Sequence, residues 1–292
     1  MRSPERPSTE NNNFKMKKAY GQNFLTDVRI PSRIAQGCTD LDTEAGKAES
    51  LILEIGPGAG ILTKELAKRF SRVLAVEIDE ELIPILSETL RDFPNATVIN
   101  RDIMELELAP LLAQYRTVGE KTLPVSVCAN LPYYITTPIL MKLLEEYGEF
   151  DFITVMVQKE VARRLCAAAG SENYGAVTAA IGLYGKATKL FDVSAGNFNP
   201  KPKVDSAVVK IALYHPARYT PKQIKSASKV IRAAFSMRRK TLVNTLLQLN
   251  AEGFSTKEAL AALITELFGK PNVRGEELST EQFVLLAERL DI

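Results

Sequence analysis

The sequence predicts an α/β fold with a mostly parallel sheet, followed by a smaller helical domain. Over the first two thirds of the chain, short apolar runs of strand length alternate with segments of helical spacing. Such alternation is typical of a parallel sheet covered by helices. After Tyr214 the strand-like runs stop and only helical patterns follow. A chain of 292 residues is long enough for one large and one small domain.

The predicted strands are apolar runs that end in Gly, Pro or polar residues. They comprise residues 51–55, 72–78, 96–100, 125–130 and 151–158, with two later β segments at 189–193 and 206–214. Helical spacing follows four of these strands, at residues 61–70, 80–93, 137–147 and 161–169. Parallel strands need a long crossover connection, which these helices supply. The two later segments are expected to form an antiparallel edge.

Three segments of the chain are distinguished by composition. Residues 1–14 are polar and proline-bearing without an apolar stretch, so we expect a disordered tail and no secretory signal. Residues 15–214 carry the strands of the first domain, and residues 215–292 form the helical domain. Its predicted helices span residues 221–236, 240–249, 255–268 and 279–290. Ser279 is a suitable N-cap for the last of them.

The composition excludes several classes of protein. It is 46% hydrophobic and 25% charged, which is ordinary for a globular chain, and no run of 18 apolar residues predicts a membrane span. The single histidine, His215, argues against a histidine-based catalytic triad or a histidine-rich metal site. The three cysteines are far apart in sequence and form no zinc or disulfide pattern, which suits a reducing cytoplasm. We therefore expect no metal.

Positive charge is concentrated in residues 201–240. This stretch has eleven Lys and Arg against one acid, Asp205, a net charge of +10, which leaves −8 for the rest of a chain whose total is +2. A run of this kind can be a solvated face. It can equally bind a polyanion, for which nucleic acid is the default partner.

Chemistry-bearing residues follow the first three predicted strands. Residues 54–60 read EIGPGAG, Glu77 ends the second strand and Asp102 follows the third. The glycine spacing is G-x-G-x-G rather than the dinucleotide fingerprint G-x-G-x-x-G, which favours a nucleoside ligand without a pyrophosphate. A carboxylate at Glu77 can accept from ribose hydroxyls, and Asp102 from an adenine amino group. Because ligands bind at the carboxyl ends of parallel strands, we expect one binding site at this edge.

The fourth strand ends at the same edge in Asn130-Leu131-Pro132-Tyr133. An exocyclic amine on a base is a poor nucleophile because its lone pair is delocalised into the ring. Acceptors such as the Asn130 side-chain carbonyl and the Leu131 backbone carbonyl would favour a more tetrahedral nitrogen. Tyr133 offers a face on which a flipped base can stack, worth roughly 1–3 kcal/mol. Methyl transfer to such an amine would then depend mainly on positioning.

The motifs together resemble those of the ribosomal RNA adenine N6,N6-dimethyltransferases, most closely the bacterial small-subunit branch of that family. The matching segments are GQNFL (21–25), EIGPGAGILT (54–63), VEID (76–79), RD (101–102), NLPYYITTPIL (130–140) and NFNPKPKVDSAVV (197–209). They occur in order over most of the chain. The resemblance implies a Rossmann-like methyltransferase fold with a mostly parallel seven-stranded sheet and a small all-α C-terminal domain.

The resemblance also implies a cofactor, a substrate and residues for each. S-adenosyl-L-methionine would be bound by Asn23, Leu25, Gly56, Gly58, Glu77, Ile78, Asp102, Ile103 and Asn130. The target adenine would be held by Asn130, Leu131, Tyr133 and Phe198, where Phe198 would form the second aromatic face. Contacts to RNA would come from Lys201, Lys203, Arg232, Arg238, Arg239 and Lys240. The expected partner is 16S rRNA in the 30S subunit or its precursor, and we expect a cytoplasmic monomer.

Three other functions remain compatible with parts of the sequence. A macrolide-resistance type enzyme acting on 23S rRNA would share the core motifs. A ribosome-assembly factor without catalysis would share the basic segment, although it would not need Glu77, Asp102 or the NLPY motif. A nicotinamide dehydrogenase is disfavoured by the glycine spacing and by the lack of a catalytic histidine or Tyr-Lys pair.

Overall fold

The computed structural model describes residues 24–40, 47–146, 150–237 and 239–292. The predicted tail at residues 1–14, together with Asn23 and Arg238, lies outside the described residues. A seven-stranded sheet forms the centre of the first domain. Its strands are β2 (Ala48–Ile55), β3 (Phe70–Glu77), β4 (Ala96–Asn100), β7 (Val125–Asn130), β8 (Phe150–Gln158), β9 (Gly185–Val193) and β11 (Ser206–Leu213).

The strand order is β4-β3-β2-β7-β8-β11-β9. The first five are mutually parallel, whereas β11 runs antiparallel to both β8 and β9. The order reverses between β2 and β7, which brings the carboxyl ends of β2, β3, β4 and β7 to one edge on either side of the switch point. The prediction of a mostly parallel sheet with an antiparallel edge is confirmed.

Four short strands lie outside this sheet and pair in two ribbons. In one ribbon, β1 (Phe24–Leu25) is antiparallel to β10 (Phe198–Asn199), and in the other β5 (Thr117–Val118) is antiparallel to β6 (Lys121–Thr122). In the first ribbon Leu25 lies opposite Phe198. Two motifs more than 170 residues apart in sequence are therefore neighbours.

Eleven helices in the described part of the chain complete the fold. Those before Tyr214 are α1 (Arg29–Gly37), α2 (Ile61–Arg69), α3 (Ile83–Thr89), α4 (Leu108–Arg116), α5 (Thr136–Glu146), α6 (Lys159–Leu165) and α7 (Ala176–Ile181). Those after it are α8 (Pro221–Ala234), α9 (Leu242–Leu246), α10 (Lys257–Phe268) and α11 (Thr280–Leu290). None of the helices in the described ranges is both long and apolar enough to cross a lipid bilayer.

The central strands are buried on both faces, so they read as continuous apolar runs. Successive side chains of a strand point to opposite faces. Leu53 accordingly packs in the large cluster shared with α4 and α5, whereas Ile52 packs on the other face with α1 and α2. Cys38 and Cys128 are both buried in this second cluster as free thiols, and Cys166 is free as well.

The C-terminal helices have an apolar core of their own. Phe283, Leu263 and Val230 are buried in it, and Ser279 caps α11 with a hydroxyl that accepts from the Gln282 amide. The predicted N-cap is confirmed. Helix α7 precedes the predicted boundary at residue 214, yet its residue Ala179 is buried among these helices. The Thr280 hydroxyl donates to the Ala179 carbonyl at 3.0 Å. The helical part therefore packs directly on the first domain.

Three helices were missing from the sequence prediction: α1, α4 and α7. The nine residues of α1 are strongly amphipathic, with Ile30, Ile34 and Ala35 buried, so this helix could have been predicted from its spacing. The predicted helix at residues 80–93 is shorter than expected, because a 3₁₀ turn at Glu80–Leu82 precedes α3, which ends at Thr89. Most strand ends agree with the prediction to within two residues at the carboxyl edge.

Candidate active site

A cavity lies at the carboxyl edge of the sheet, where β2, β3, β4 and β7 end. Its walls include Ile55, Glu77, Asp102 and Asn130, one from each of these strand ends or the residues just after them. The predicted convergence of the four strand ends is what brings these four residues together.

The glycine loop between β2 and α2 forms the floor of the cavity. Gly56, Gly58 and Gly60 have φ angles of 69°, 59° and 83°, a left-handed conformation that residues with a Cβ adopt rarely. The Gly58 N–H donates to Glu77 Oε2 at 3.1 Å, so the loop is tied to the end of β3. A Cβ at Gly58 would lie 3.0 Å from the ring of Phe24, whereas a Cβ at Gly56 would meet nothing within 4 Å. The loop therefore leaves open space above Gly56.

Glu77 is held rigidly at the end of β3. It is 4% exposed, and Oε1 accepts from the Asp79 amide at 2.9 Å. Burial raises the pKa of this carboxyl above its ordinary value, while the amides of Asp79 and Gly58 oppose that rise. Asp102, beyond β4, lines the same cavity, and its Oδ1 accepts from the Met104 amide at 2.8 Å. Both carboxylates are fixed by backbone amides before any ligand binds.

Glu54 is a buried acid at the back of the cavity. It is 1% exposed, and no described residue donates a well-formed hydrogen bond to either carboxylate oxygen. Burial raises its pKa to about 8; the neighbouring Thr63 hydroxyl lowers the pKa and the Glu77 carboxylate raises it. A buried carboxyl without partners is costly to ionise and attracts a cationic group. The back of the cavity is therefore built to receive a positive charge.

This raised pKa predicts a stability that depends on pH. Between the ordinary value of 4.5 and about 8, the folded ligand-free protein binds more protons at Glu54 than the unfolded chain does. The free energy of unfolding should therefore fall as the pH rises through this window, by at most about 5 kcal/mol. In Glu54→Gln the fall should be much smaller. Urea denaturation at pH 5, 6, 7 and 8 measures the free energy of unfolding of both proteins.

The matched control for that measurement is Glu258→Gln, which removes an exposed carboxyl on α10. It should keep the wild-type dependence on pH. Parallel pH profiles for wild type and Glu54→Gln would show that Glu54 ionises freely in the folded protein.

Asn130 and the three residues after it form one wall of the cavity, and Tyr134 lies at its rim. Leu131 is anchored because its N–H donates to the Met156 carbonyl of β8 at 3.3 Å. The turn that follows uses the Pro132 carbonyl, which accepts from the Ile135 amide at 3.2 Å. The Leu131 carbonyl is therefore not needed to close the turn. The structure thus places Asn130, Leu131 and Tyr133, which sequence analysis singled out, on the wall of one cavity.

The β1–β10 ribbon covers one side of the cavity. Phe24 and Leu25 of β1 line it. Phe198 of β10 is 5% exposed, lies in the apolar cluster with Leu25 and is not among the residues that line the cavity. Its expected stacking against a base stays a prediction. Ile78 and Ile103 line the cavity as expected.

The lining residues are complementary to a nucleoside that carries a cationic tail. Glu54 offers a buried carboxyl group that has no hydrogen-bond partner among the described residues and would ionise beside a cation, and Glu77 and Asp102 offer acceptors for hydroxyl and amino groups. Apolar side chains such as Ile78 and Ile103 lie between these acids. The expected methyl donor, a sulfonium with an ammonium group, fits this arrangement. Among the described residues no group of three His, Cys, Asp or Glu could hold a metal ion.

Comparison with known proteins identifies the family. Residues 13–291 match the family described as ribosomal RNA adenine dimethylase. The chain belongs to the ribosomal RNA adenine dimethylase family. A relative from Streptococcus sanguinis, named ribosomal RNA small subunit methyltransferase A, is 42% identical over 99% of this chain and 96% of its own length. A relative of the same name from Shouchella clausii is 40% identical over 95% of this chain and 90% of its own length.

Two solved structures share the fold over most of this chain. A dimethyladenosine transferase from Plasmodium falciparum is 25% identical, with a TM-score of 0.72 over 92% of this chain and 98% of its own. The 23S rRNA methyltransferase ErmE is 26% identical, with a TM-score of 0.66 over 92% of this chain and all of its own. The predicted Rossmann-like methyltransferase fold is confirmed.

The basic segment of this dimethylase is less uniform than its sequence suggests. Lys210 is 12% exposed, pairs with Asp40 and lies over the Phe152 ring, and Arg218 pairs with Glu281 at 2.8 Å. These two residues serve internal contacts. The other described basic residues of the segment are exposed and comprise Lys201, Lys203, Lys222, Lys225, Lys229, Arg232, Arg239 and Lys240. Arg232 lies 3.8 Å from Glu145, a weak contact that leaves it accessible.

Lys201 and Lys203 lie beside the cavity. Their loop follows β10, whose partner strand carries the cavity residues Phe24 and Leu25. It ends at Ser206, whose hydroxyl contacts that of Tyr133. RNA bound to these lysines would therefore approach the wall formed by Asn130 and Tyr133.

Two site residues were missed by sequence reasoning. Glu54 was quoted only as part of the glycine motif, yet a single acid inside the apolar run LILEI is a signal that a buried charge serves a ligand. Phe24, whose ring packs on Gly58, gave no periodic signal because its strand has only two residues.

Proposed function

We propose that this protein transfers methyl groups from S-adenosyl-L-methionine to the N6 amino groups of two adjacent adenosines near the 3′ end of 16S rRNA. The observation that carries the proposal is the position of Asn130, Leu131 and Tyr133 on the wall of a cavity whose other walls hold Gly56, Glu77 and the unpaired Glu54 carboxylate. A site for an amine and a site for a donor thus share one cavity. The names of the Streptococcus and Shouchella relatives support RNA of the small ribosomal subunit as the substrate.

Residues of this chain would hold the donor at three points. Glu77 would accept from the ribose hydroxyls, Asp102 from the adenine amino group, and Glu54 would lie toward the ammonium group. Ile78 and Ile103 would pack on the adenine faces. S-adenosyl-L-methionine, when bound, supplies an activated methyl group on a sulfonium. The protein's task is then to align the acceptor nitrogen with that methyl group.

The acceptor adenine would be held by the opposite wall. The Asn130 side-chain carbonyl and the Leu131 carbonyl would accept from the two N6 hydrogens, so that the lone pair of the nitrogen points at the methyl group. Tyr133 would stack on the ring. The proton released from nitrogen can pass to water, which agrees with a site that contains no histidine among its lining residues. The nucleotide would act as a splayed base in 16S rRNA of the 30S subunit or its precursor.

A methyl-transfer assay with isolated particles tests this proposal. Unmethylated 30S subunits should accept up to four methyl groups each, and nuclease digestion with mass spectrometry should find N6,N6-dimethyladenosine at two adjacent positions. A 23S rRNA fragment should accept none. Methylation of the 23S fragment alone would favour the second candidate, which the likeness to ErmE supports. Binding to 30S subunits without any transfer would favour an assembly factor without catalysis.

Contacts from the exposed lysines to phosphates should set the affinity for RNA. Replacing Lys201 and Lys203 together by Ala should weaken binding to 30S subunits roughly tenfold, because two solvent-exposed ionic contacts to phosphates, each worth up to about 1 kcal/mol, disappear. The slope of log affinity against log salt should become shallower by about one to two. Filter binding at several salt concentrations measures both quantities.

Lys121→Ala is the control, since Lys121 pairs with Glu49 near the start of β2, at the edge of the sheet remote from the cavity. An unchanged salt slope in the double variant would place the RNA elsewhere. We expect the protein to act as a monomer in the cytoplasm, where ribosomal subunits are assembled.

A further inference from the structure

The hydroxyl groups of Tyr133 and Ser206 are hydrogen-bonded at 3.0 Å. Tyr133 is half-buried and lines the cavity, whereas Ser206 is fully buried and begins β11. The two residues are 73 positions apart in sequence. Ser206, the first residue of an antiparallel strand, therefore bonds through its hydroxyl to Tyr133. Tyr133 is the aromatic residue of the NLPY motif that is expected to stack on a base.

The serine end of this contact is rigid. Ser206 lies between two strands, with Gln158 of β8 and Val193 of β9 as its backbone neighbours. Because β11 is antiparallel to β8, its first residue lies at the carboxyl edge of β8, which is the edge that carries the cavity. The tyrosine ring is therefore held at its backbone by the turn after β7 and at its hydroxyl by the sheet.

The neighbouring residue, Asp205, fixes a second segment of the site. Its Oδ1 accepts from the Ala195 amide at 2.9 Å, and its carbonyl accepts from the Lys159 amide at 2.9 Å. Ala195 begins the 3₁₀ turn that leads into Phe198. The head of β11 thus anchors both segments that carry the aromatic residues expected around the base.

We propose that Ser206 is a positioning residue for methyl transfer, acting through the ring of Tyr133; this inference rests on the proposed function. Ser206 itself does not line the cavity. A stacking face aligns a base only when the face is already fixed, since a ring that must be ordered on binding loses part of the stacking energy. The Ser206 hydroxyl removes that loss by holding the tyrosine ring in place before RNA binds. Its effect should appear in transfer to RNA and not in binding of the donor.

Two single variants and their combination test the inference in the full-length protein. Ser206→Ala and Tyr133→Phe each remove one hydroxyl of the pair and leave the aromatic ring in place. Each should lower kcat/KM for methyl transfer to 30S subunits by about three- to tenfold. The double variant should be no slower than the slower single variant, because both changes break the same hydrogen bond. The dissociation constant for S-adenosyl-L-methionine should stay at the wild-type value in all three.

The control is Ser126→Ala, which removes a hydroxyl that is 3% exposed near the start of β7, at the opposite edge of the same sheet. Its kcat/KM should match that of the wild type, whatever its effect on the melting temperature. If a general loss of packing were the cause, kcat/KM would fall to the same extent in Ser206→Ala and in Ser126→Ala.

The inference is overturned by wild-type kcat/KM in Ser206→Ala, by additive losses in the double variant, or by an equal loss in Ser126→Ala. If Ser206→Ala does not fold, Tyr133→Phe decides, and wild-type activity in that variant overturns the inference. Failure of the proposed function is distinct, because the wild-type protein itself would then transfer no methyl group to 30S subunits.

Discussion

The Asn130→Ala variant should lose methyl transfer by roughly 10²–10³-fold in kcat, while it binds S-adenosyl-L-methionine nearly as well as the wild type. Asn130 ends β7 and lines the cavity next to Leu131 and Tyr133. Its carbonyl is expected to accept from the target amine, and that contact matters most when the nitrogen attacks. Loss of an interaction made mainly in the transition state lowers kcat more than it raises KM.

Single-turnover assays on 30S subunits measure the loss, and calorimetry measures the binding of the donor. Asn244→Ala is the matched control, because Asn244 is exposed on α9, where its side-chain amide donates to Thr241 Oγ1 at 2.9 Å. A normal rate of dimethylation in Asn130→Ala would refute the account of amine activation. A loss confined to binding of the donor would instead assign Asn130 to the donor site alone.

The Glu77→Ala variant should bind S-adenosyl-L-methionine about 10²–10⁴-fold more weakly, and its kcat/KM should fall with the affinity. Two charge-assisted hydrogen bonds to ribose hydroxyls, each worth about 1.5–3 kcal/mol, would disappear. The Gly58 and Asp79 amides would also lose the carboxylate that accepts from them, so the glycine loop would become less fixed. Isothermal titration with the donor and thermal unfolding without it separate the two effects.

Glu80→Ala is the control for this prediction, since Glu80 is an exposed acid three residues away. Burial raises the pKa of Glu77, and the ionised form is the one that accepts two hydrogen bonds from a ribose. Affinity for the donor in the wild type should therefore fall as the pH decreases through the raised pKa. Wild-type affinity in Glu77→Ala would mean that the ribose is held elsewhere.

The two predictions separate the halves of the cavity. Glu77 and the glycine loop are expected to act on the donor, whereas Asn130, Leu131 and Tyr133 are expected to act on the acceptor. Glu77→Ala should lose affinity for the donor but keep its transfer rate at saturating donor. Asn130→Ala should keep its affinity for the donor but lose the transfer rate. The same assays distinguish these two outcomes. Ser206 is expected to belong with the second group, although it does not line the cavity.

Sequence was sufficient for those features that depend on local pattern. The alternation of apolar runs and helical spacing predicted the parallel sheet, and residues 125–130 form a strand with the same bounds as predicted. Positions such as Glu77 and Asn130 could be assigned to one edge because parallel strands must end on the same side. The family followed from motifs whose spacing is a property of the chain itself.

Features that depend on contacts between distant residues were decided only by the tertiary structure. The pairing of β1 with β10 joins residues more than 170 positions apart, and the Tyr133–Ser206 hydrogen bond joins two that are 73 apart. Likewise, the sequence places Lys210 in the basic segment, but in the structure it pairs with Asp40 and lies over the Phe152 ring. Periodicity reports which face of an element is buried, but it carries no information on which distant side chain meets it there. The fold, the family and the edge that carries the site could thus be predicted from local patterns, whereas the packing of distant segments sets which of the described groups lack a partner, which are held by hydrogen bonds and which line the cavity.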